Sequence, residues 1–163
     1  MTVEVRLAHP GDLALLKSWD DKPHVMAASG ADDAFDWAGE LPRTVSWREL
    51  LIAEVGGRPV GFMQVIDPAE EETHYWGEIE PNLRAIDIWI GEESDLGRGY
   101  GTAMMRSAIA RCFADPAVSA VLVDPLAVNV RACRFYERLR FLPVQRRMFS
   151  DDDCIVYRLE RST

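Results

Sequence analysis

One stretch constrains the fold more than any other: a glycine-rich loop stands between an alternating strand and an amphipathic helix. Residues 83–91 read LRAIDIWIG, residues 94–102 read SDLGRGYGT, and an apolar stripe with i, i+4 spacing follows over about 100–114. The first N–H groups of a helix lack intrahelical partners and lie at the positive end of its dipole. The stretch therefore predicts a site where backbone amides hold phosphate. A flexible turn is the alternative, because glycines alone are also typical of turns. A P-loop is not indicated, since a GKS or GKT sequence is missing.

Length and net charge narrow the classes of protein that the chain can belong to. A chain of 163 residues fits one domain, residues 1–163, with a core of its own. The net charge of −9 argues against a nucleic-acid partner, whose phosphates need a basic surface. No apolar run approaches the roughly 20 residues that span a bilayer, and the first residues carry no secretion signal. We expect a cytoplasmic protein that binds neither nucleic acid nor membrane.

Hydrophobic periodicity predicts short strands interspersed with helices. The order of elements fits a single α+β domain with a central, mixed and twisted sheet flanked by helices. Asp12 is expected to cap the first helix, and residues 21–45 are irregular enough for a loop or short helices. The predicted strands are 2–8, 46–55, 58–67, 83–91, 117–124, 141–149 and 154–160, and the predicted helices are 12–20, 100–114 and 129–140.

The cysteines and the acidic residues carry less specific signals. Cys112, Cys133 and Cys154 are odd in number and show no CxxC spacing, so we expect buried thiols and neither a disulfide framework nor a metal site. Residues 67–80 carry six carboxylates and no Lys or Arg. A solvated loop is the simplest interpretation of that run, although the aromatic pair within it is unusual for one.

Two segments in the same order carry a family resemblance. LGRGYGTAMM follows IDIWIG, and VDPLAVNVRACRFYERLRF comes about twenty residues later. Together they resemble the GNAT superfamily of acetyl-CoA-dependent N-acyltransferases, whose R/Q-x-x-G-x-G/A loop holds the CoA pyrophosphate. Leu96 stands where Arg or Gln is usual, which weakens a side-chain role there and leaves the amides intact. The resemblance implies acetyl-CoA as cosubstrate.

The resemblance also assigns the residues that contact acetyl-CoA. They come from the end of the 83–91 strand, from the glycine-rich loop and from the start of the last helix, which Asn129 is also expected to cap. The assigned residues are Ile88, Trp89, Ile90, Leu96, Gly97, Arg98, Gly99, Tyr100, Gly101, Thr102, Asn129 and Ala132.

Within this superfamily the chain looks most like the aminoglycoside 6'-N-acetyltransferases, through EETHYWGEIEPNLRAID and the late DDDCIVY. That likeness implies a polycationic small-molecule amine as substrate, since carboxylates attract and hold ammonium groups. It is best over residues 55–160 and poorer over 25–45. The implied substrate-binding residues are Glu72, Tyr75 or Trp76, Asp124 and Asp152, together with Asp87.

Two residues are expected to carry the chemistry. Asp87 interrupts an apolar strand, and a carboxylate there can accept a proton from the incoming ammonium. Tyr136 resembles the family's general acid, which protonates the departing thiolate. A structural hydrogen-bond acceptor and a core tyrosine are the respective alternatives.

Other functions remain open at the level of sequence. Siderophore-type lysine N-acyltransferases share much of the same outline and are the nearest competing family. A sensor that binds acetyl-CoA without turnover is the alternative from another class, although a sensor needs no counterpart of Asp87 or Tyr136. A homodimer is compatible with the resemblance, because paired protomers are common in the superfamily.

Overall fold

The computed structural model describes residues 2–29 and 35–162. The strands are β1 (Glu4–Leu7), β2 (Arg48–Val55), β3 (Arg58–Ile66), β4 (Leu83–Ile90), β5 (Ala120–Val123), β6 (Leu142–Phe149) and β7 (Asp152–Glu160). The α-helices are α1 (Leu13–Asp20), α2 (Pro23–Ser29), α3 (Trp37–Glu40), α4 (Tyr100–Phe113) and α5 (Val130–Arg138), with short 3-10 turns at Pro10–Asp12 and Glu93–Asp95.

The strands form one mixed sheet in the order β1-β2-β3-β4-β5-β7-β6. Neighbouring strands are antiparallel everywhere except between β4 and β5, which run parallel. The connection between these two parallel strands is α4, as expected for strands that cannot be joined by a tight turn. The predicted α+β fold class is confirmed.

The parallel pair β4–β5 separates partway along its length. Its pairing runs from Leu83 opposite Ala120 to Ala85 opposite Leu122 and then stops. On its other side β4 stays paired with β3 as far as Ile90. The last five residues of β4 therefore have a strand on one edge only, and the sheet opens at that point. We call this opening the β4–β5 gap.

Apolar side chains cover both faces of the sheet. On the first face, α4 and α5 cover alternate residues of β3 and β4, including Met63 and Ile86. On the second face two separate clusters form. One joins α1 and α3 to Phe62 and Trp89, and the other joins Trp76 and Phe149 to Ile66, Leu83 and Ala85.

A polar pair lies between the two clusters of the second face. Along β3, Gln64 lies between Phe62 and Ile66, and it faces Asp87 of β4 in the register. The alternation predicted for residues 83–91, with the isoleucines on one face and Asp87 on the other, is thus confirmed. The apolar lining of this face is interrupted at Gln64 and Asp87.

The ends of several elements differ from the sequence-based predictions. Asp12 makes no capping bond to α1; its carboxylate instead accepts bonds from Arg6, at 2.8 and 2.9 Å, and from the His9 N–H. Residues 21–45 contain the short helices α2 and α3, and the Trp37 indole N–H is bonded to Asp20 at 2.6 Å.

The expectation of buried thiols is confirmed, since Cys112, Cys133 and Cys154 are all free and buried. The longest helix, α4, has 14 residues. None of the helices in the described ranges combines the length and the apolarity that a bilayer crossing requires.

Candidate active site

The glycine-rich loop leaves an open surface at the start of α4. Gly97 and Gly99 have φ of 72° and 81°, a left-handed conformation that side-chain-bearing residues rarely adopt. Gly99 is the N-cap of α4 and provides no side-chain cap. A Cβ added at either glycine would meet no heavy atom within 4 Å. The space in front of the helix is therefore free for a ligand.

The amides at this helix start are available as donors. Within the described ranges, the N–H groups of residues 99–102 make no hydrogen bond, and the first capping contact is from the Ala103 N–H to the Gly99 carbonyl at 3.2 Å. Unpartnered N–H groups at a helix N-terminus form an anion site. Phosphate binding by Gly99, Tyr100, Gly101 and Thr102 stays a prediction, for which their N–H groups are available.

An ion pair between the buried Asp95 and the exposed Arg58 holds the loop that precedes these amides. Both oxygens of the buried Asp95 carboxylate accept bonds from the Arg58 guanidinium of β3, at 2.8 and 3.0 Å. Arg98 turns back, and its Nε donates to the Ser94 carbonyl at 2.9 Å. Sequence reasoning missed Asp95 and Arg58, because an acid within the run EESD gives no sign of burial.

Helix α5 packs on the start of α4 through the Phe135 ring, which lies 3.7 Å from the position of a Cβ at Gly101. Asn129 caps α5 as predicted, accepting a bond from the Ala132 N–H at 3.1 Å. The predicted cofactor contacts of Asn129 and Ala132 stay a prediction. Leu96, half-buried, immediately precedes the two left-handed glycines.

Beside the β4–β5 gap, β4 offers mainly backbone. Ile88 and Ile90 point into the core of the first face, and the Trp89 ring packs on Phe62 with centroids 4.5 Å apart. The Ile90 carbonyl is already bonded, to His24 Nε2 at 2.8 Å. Any contact that the three predicted residues make across the gap is therefore made by their remaining peptide groups.

Asp87 lies at the polar interruption of the second face. Its Oδ2 accepts a bond from the Gln64 amide at 2.9 Å. The carboxyl is accessible to solvent, yet protein surrounds it on most sides, as it would at the bottom of a cleft. This burial raises the pKa of Asp87, while the Gln64 bond opposes the rise.

Asp124 follows β5 on the other side of the β4–β5 gap. Its Oδ2 accepts a bond from the Tyr75 hydroxyl at 2.8 Å. Burial, and then the negative charge of Asp87, raises the pKa of Asp124 to about 8. The structure thus brings together two predicted acids, and each makes ionisation of the site harder in the absence of a cation.

Tyr136 of α5 belongs to the same cluster of groups. Only 7% of the residue is exposed, and its ring contacts Phe135, Phe141 and Tyr157. Burial and the charges of Asp87 and Asp124 raise the pKa of Tyr136, so the hydroxyl keeps its proton at neutral pH.

The two aromatic residues of the acidic run have different positions. Tyr75 is 48% exposed, and its ring stacks on Phe149 with centroids 4.6 Å apart and planes 7° apart. Trp76 is only 3% exposed and packs beneath them, edge-on to both rings. Tyr75 is therefore the member of the pair that offers a ring to a ligand.

The remaining predicted acids lie at the margin of this cluster. Both oxygens of Glu72 accept bonds from Arg43, at 2.8 and 2.9 Å, and Arg43 also contacts Glu40. These bonds lower the pKa of Glu72. Asp152 is half-buried at the start of β7, opposite Phe149 in the register. The structure therefore does not join Glu72 to the Asp87–Asp124 pair.

Comparison with known proteins gives the family. Residues 9–149 match the model of the acetyltransferase (GNAT) domain. The chain belongs to the GNAT acetyltransferases. As a member it is 30% identical over 148 residues to the aminoglycoside N(6')-acetyltransferase type 1 of Klebsiella pneumoniae, a match that covers 86% of this chain and 74% of that protein.

Two further comparisons bear on this GNAT domain. It is 29% identical over 154 residues to the lysine N-acyltransferase MbtK of Mycolicibacterium paratuberculosis, covering 85% of this chain and 65% of that protein. It superposes on the solved structure of AAC(6')-Ib in complex with Parmomycin and acetyl-CoA with a TM-score of 0.89 and 28% identity. That superposition covers 99% of this chain and 94% of the other.

The open helix start generates a test with a matched control in this GNAT domain. Gly57, in the turn between β2 and β3, has φ of 78° and, like Gly99, open space at its Cβ position. Asn tolerates this backbone region better than other side-chain-bearing residues. We expect Gly99→Asn to weaken coenzyme A binding about tenfold or more, which is ~1.4 kcal/mol, because its side chain obstructs the amides. Gly57→Asn should leave the affinity unchanged. Calorimetry showing equal affinities would contradict the phosphate assignment.

The raised pKa of Asp124 predicts a pH dependence of stability. A carboxyl whose pKa is raised by folding stabilises the fold fully below its unfolded pKa of 3.8, and this contribution is lost as the pH rises through about 8. Asp124→Asn cannot ionise, so its free energy of unfolding relative to wild type should rise from pH 5 to pH 9, by at most about 1.4 kcal/mol per pH unit.

The control for this pH series is Asp153→Asn. Asp153 is paired with Arg146, and this pairing lowers the pKa of Asp153. Its contribution to stability is therefore constant between pH 5 and pH 9. Urea unfolding across that interval measures both variants, and parallel curves for Asp124→Asn and wild type would show that Asp124 is not held neutral.

Proposed function

We propose that this GNAT domain transfers the acetyl group of acetyl-CoA to a primary amine of a polycationic small molecule, namely the 6'-amine of an aminoglycoside. The observation that carries the proposal is the gathering of Asp87, Asp124, Tyr75 and Tyr136 around the β4–β5 gap, beside the open start of α4. The similarity to an aminoglycoside N(6')-acetyltransferase supports the substrate class.

The donor side would use the glycine-rich loop. The N–H groups of residues 99–102 would hold the pyrophosphate of coenzyme A, and the free edge of β4 at residues 86–90 would provide backbone partners for its extended arm. Asn129, which caps α5, and Ala132 would provide further contacts to coenzyme A. Acetyl-CoA supplies the thioester that is to be cleaved.

The acceptor side would use charge and one aromatic face. Asp87 and Asp124 lie together without a cation, an arrangement that binding of an ammonium group would relieve. The exposed ring of Tyr75 would pack on a sugar ring, with Trp76 supporting it from below. Glu72 and Asp152 would contact further amines at the margin.

The chemical step requires proton transfers at nitrogen and at sulfur. Asp87 would take a proton from the ammonium, directly or through water, and a raised pKa suits a base that works near neutral pH. The neutral amine then forms the C–N bond to the acetyl carbon as the C–S bond breaks. Tyr136 would give its hydroxyl proton to the thiolate sulfur, because burial and the nearby carboxylates keep that hydroxyl protonated. The second proton that the nitrogen loses as it becomes an amide would restore the Tyr136 hydroxyl, directly or through water.

Two substitutions test these roles. Asp87→Asn keeps the shape and the Gln64 contact but cannot accept the proton, so turnover should fall by about 10²–10⁴-fold. Tyr136→Phe should lower kcat more than it raises the KM for the amine, because the proton is needed in the transition state. Tyr157→Phe is the control: it removes a hydroxyl from the same core, but one already bonded to Glu137 at 2.6 Å. Steady-state thiol release measures the turnover of all three variants. Equal turnover of the Tyr136 and Tyr157 variants would show that Tyr136 contributes only to packing.

The substrate proposal has its own experiment. Neomycin and paromomycin differ in carrying an amine or a hydroxyl at the 6' position. We expect acetyl-CoA-dependent acetylation of neomycin at the 6' nitrogen, with no 6' product from paromomycin, read by thiol release and by mass spectrometry of the product. A protein that binds acetyl-CoA and acetylates neither neomycin nor kanamycin would overturn the substrate class.

The lysine N-acyltransferase alternative is favoured by one observation, the 29% identity to MbtK. It uses the same donor loop and the same chemistry, so the amine acceptor distinguishes the two functions. A protein of that class would acylate lysine side-chain amines and leave neomycin unchanged. A sensor without turnover would release no thiol from any acceptor.

Compartment and oligomeric state complete the proposal. Three unpaired cysteines accord with a reducing compartment such as the cytoplasm. Pairing of two copies stays a prediction. The outer strand β6 is where it would occur, because Leu142, Val144 and Met148 are exposed there.

A further inference from the structure

One buried carboxylate of the acidic run has no part in the chemistry described above. Glu71 is 7% exposed, whereas its neighbour Glu72 is open to solvent. Within residues 2–29 and 35–162, no Lys, Arg or His forms an ion pair with Glu71. Burial of an unpaired carboxylate costs stability unless hydrogen bonds replace its water. The partners of Glu71 therefore need to be identified.

Both partners of the carboxylate come from the loop that follows it. Oε1 accepts a bond from the Thr73 hydroxyl at 2.6 Å, and Oε2 accepts one from the Tyr75 N–H at 3.1 Å. Each carboxylate oxygen thus has a separate donor, and residues 72–75 fold around the Glu71 side chain. Loss of these bonds would leave a buried carboxylate without hydrogen-bond partners, which is unfavourable.

The backbone of this loop is also unusual. The His74 N–H donates to the Glu71 carbonyl at 3.2 Å, and His74 has φ of 56° although it is not a glycine. A side-chain-bearing residue adopts this conformation at a cost and keeps it when surrounding contacts require it. The bonds to Glu71 are those contacts, and they turn the chain immediately before Tyr75.

The residue at the end of the turn is the one that meets the active site. Tyr75 is bonded to Glu71 through its N–H, stacked on Phe149 through its ring and bonded to Asp124 through its hydroxyl. The position of the Tyr75 backbone thus decides whether the hydroxyl reaches Asp124 and whether the ring faces the cleft.

We propose that Glu71 is a positioning residue for the amine acceptor: its carboxylate holds the 71–75 loop so that Tyr75 presents its hydroxyl to Asp124 and its ring to the bound substrate. The proposal rests on the acceptor site assigned under the proposed function. Glu71 acts through Tyr75 and takes no part in proton transfer. Its removal should therefore affect the amine and leave acetyl-CoA unaffected.

Glu71→Gln is the informative substitution. Glutamine has the same size, but it offers one acceptor oxygen and an NH₂ group, so one of the two donors loses its partner. We expect the KM for neomycin to rise on the order of tenfold, the usual consequence of an unsatisfied buried donor. The KM for acetyl-CoA should stay within twofold of wild type.

A double-substitution cycle separates positioning from a general loss of stability. Tyr75→Phe removes the hydroxyl that Glu71 is said to place, so the KM effects of Glu71→Gln and Tyr75→Phe should be strongly non-additive in the double variant. Asp12→Asn is the matched control. Asp12 is also a buried carboxylate that accepts a bond from a loop N–H, that of His9, but it lies beside β1. The Asp12→Asn substitution should lower the free energy of unfolding without changing the KM for neomycin.

The outcomes divide cleanly. If the wild-type protein does not acetylate neomycin, the proposed function is wrong. If the wild-type protein is active but Glu71→Gln leaves the KM for neomycin unchanged, the role of Glu71 is wrong. Fully additive KM effects of Glu71→Gln and Tyr75→Phe would also contradict that role. Hydrogen exchange of the 71–77 peptide tests that role independently of activity: exchange at the Tyr75 amide should become at least tenfold faster in Glu71→Ala, which removes both acceptor oxygens. Unchanged exchange overturns the inference even if the enzyme proves inactive.

Discussion

The separation of β4 from β5 is the feature on which the rest of the structure depends. Three residue pairs hold these strands together, and beyond Ala85 and Leu122 they part. A parallel pair that stayed closed would cover the β4 edge and leave no passage between the two faces of the sheet. Because the gap exists, groups from the loop at Tyr75, from β4, from the end of β5 and from α5 can meet at one point. The start of α4, with its unpartnered N–H groups, follows the end of β4.

The electrostatics of the site follow from what lines it. The second face of the sheet is aromatic on both sides of Gln64 and Asp87, so the carboxyls at the gap are poorly hydrated. Poor hydration raises the pKa values of both Asp87 and Asp124, and the charge of Asp87 raises the pKa of Asp124 further. A site of this kind is unfavourable when empty and becomes favourable when a cation enters. The same low hydration keeps Tyr136 protonated.

Local sequence patterns predict the strands and helices well, because each of these elements is specified by residues close together in the sequence. The isoleucine alternation in β4, the helix start at Gly99 and the Asn129 cap each depend on a few neighbouring residues. Long-range contacts were not predictable in this way. The pairing of Glu72 with Arg43 spans 29 residues, and that of Asp95 with Arg58 spans 37. The burial of Trp76 and Glu71, next to the exposed Tyr75 and Glu72, depends on which way one loop turns. The sequence predicts a cap at Asp12, because no sequence pattern indicates that its carboxylate pairs with Arg6.

Because Glu72 is paired with Arg43, any other cation that binds at Glu72 must compete with this guanidinium. Arg43 is tethered to the chain, so Glu72 meets this guanidinium at a high effective concentration whatever the solution contains. A free amine can pair with Glu72 only by displacing Arg43. The free energy gained is therefore the difference between the new ion pair and the Arg43–Glu72 pair. The exchanged guanidinium keeps its contact with Glu40, which eases its departure. Discrimination at this position is therefore relative, set by how each arriving cation compares with an occupant that the protein supplies.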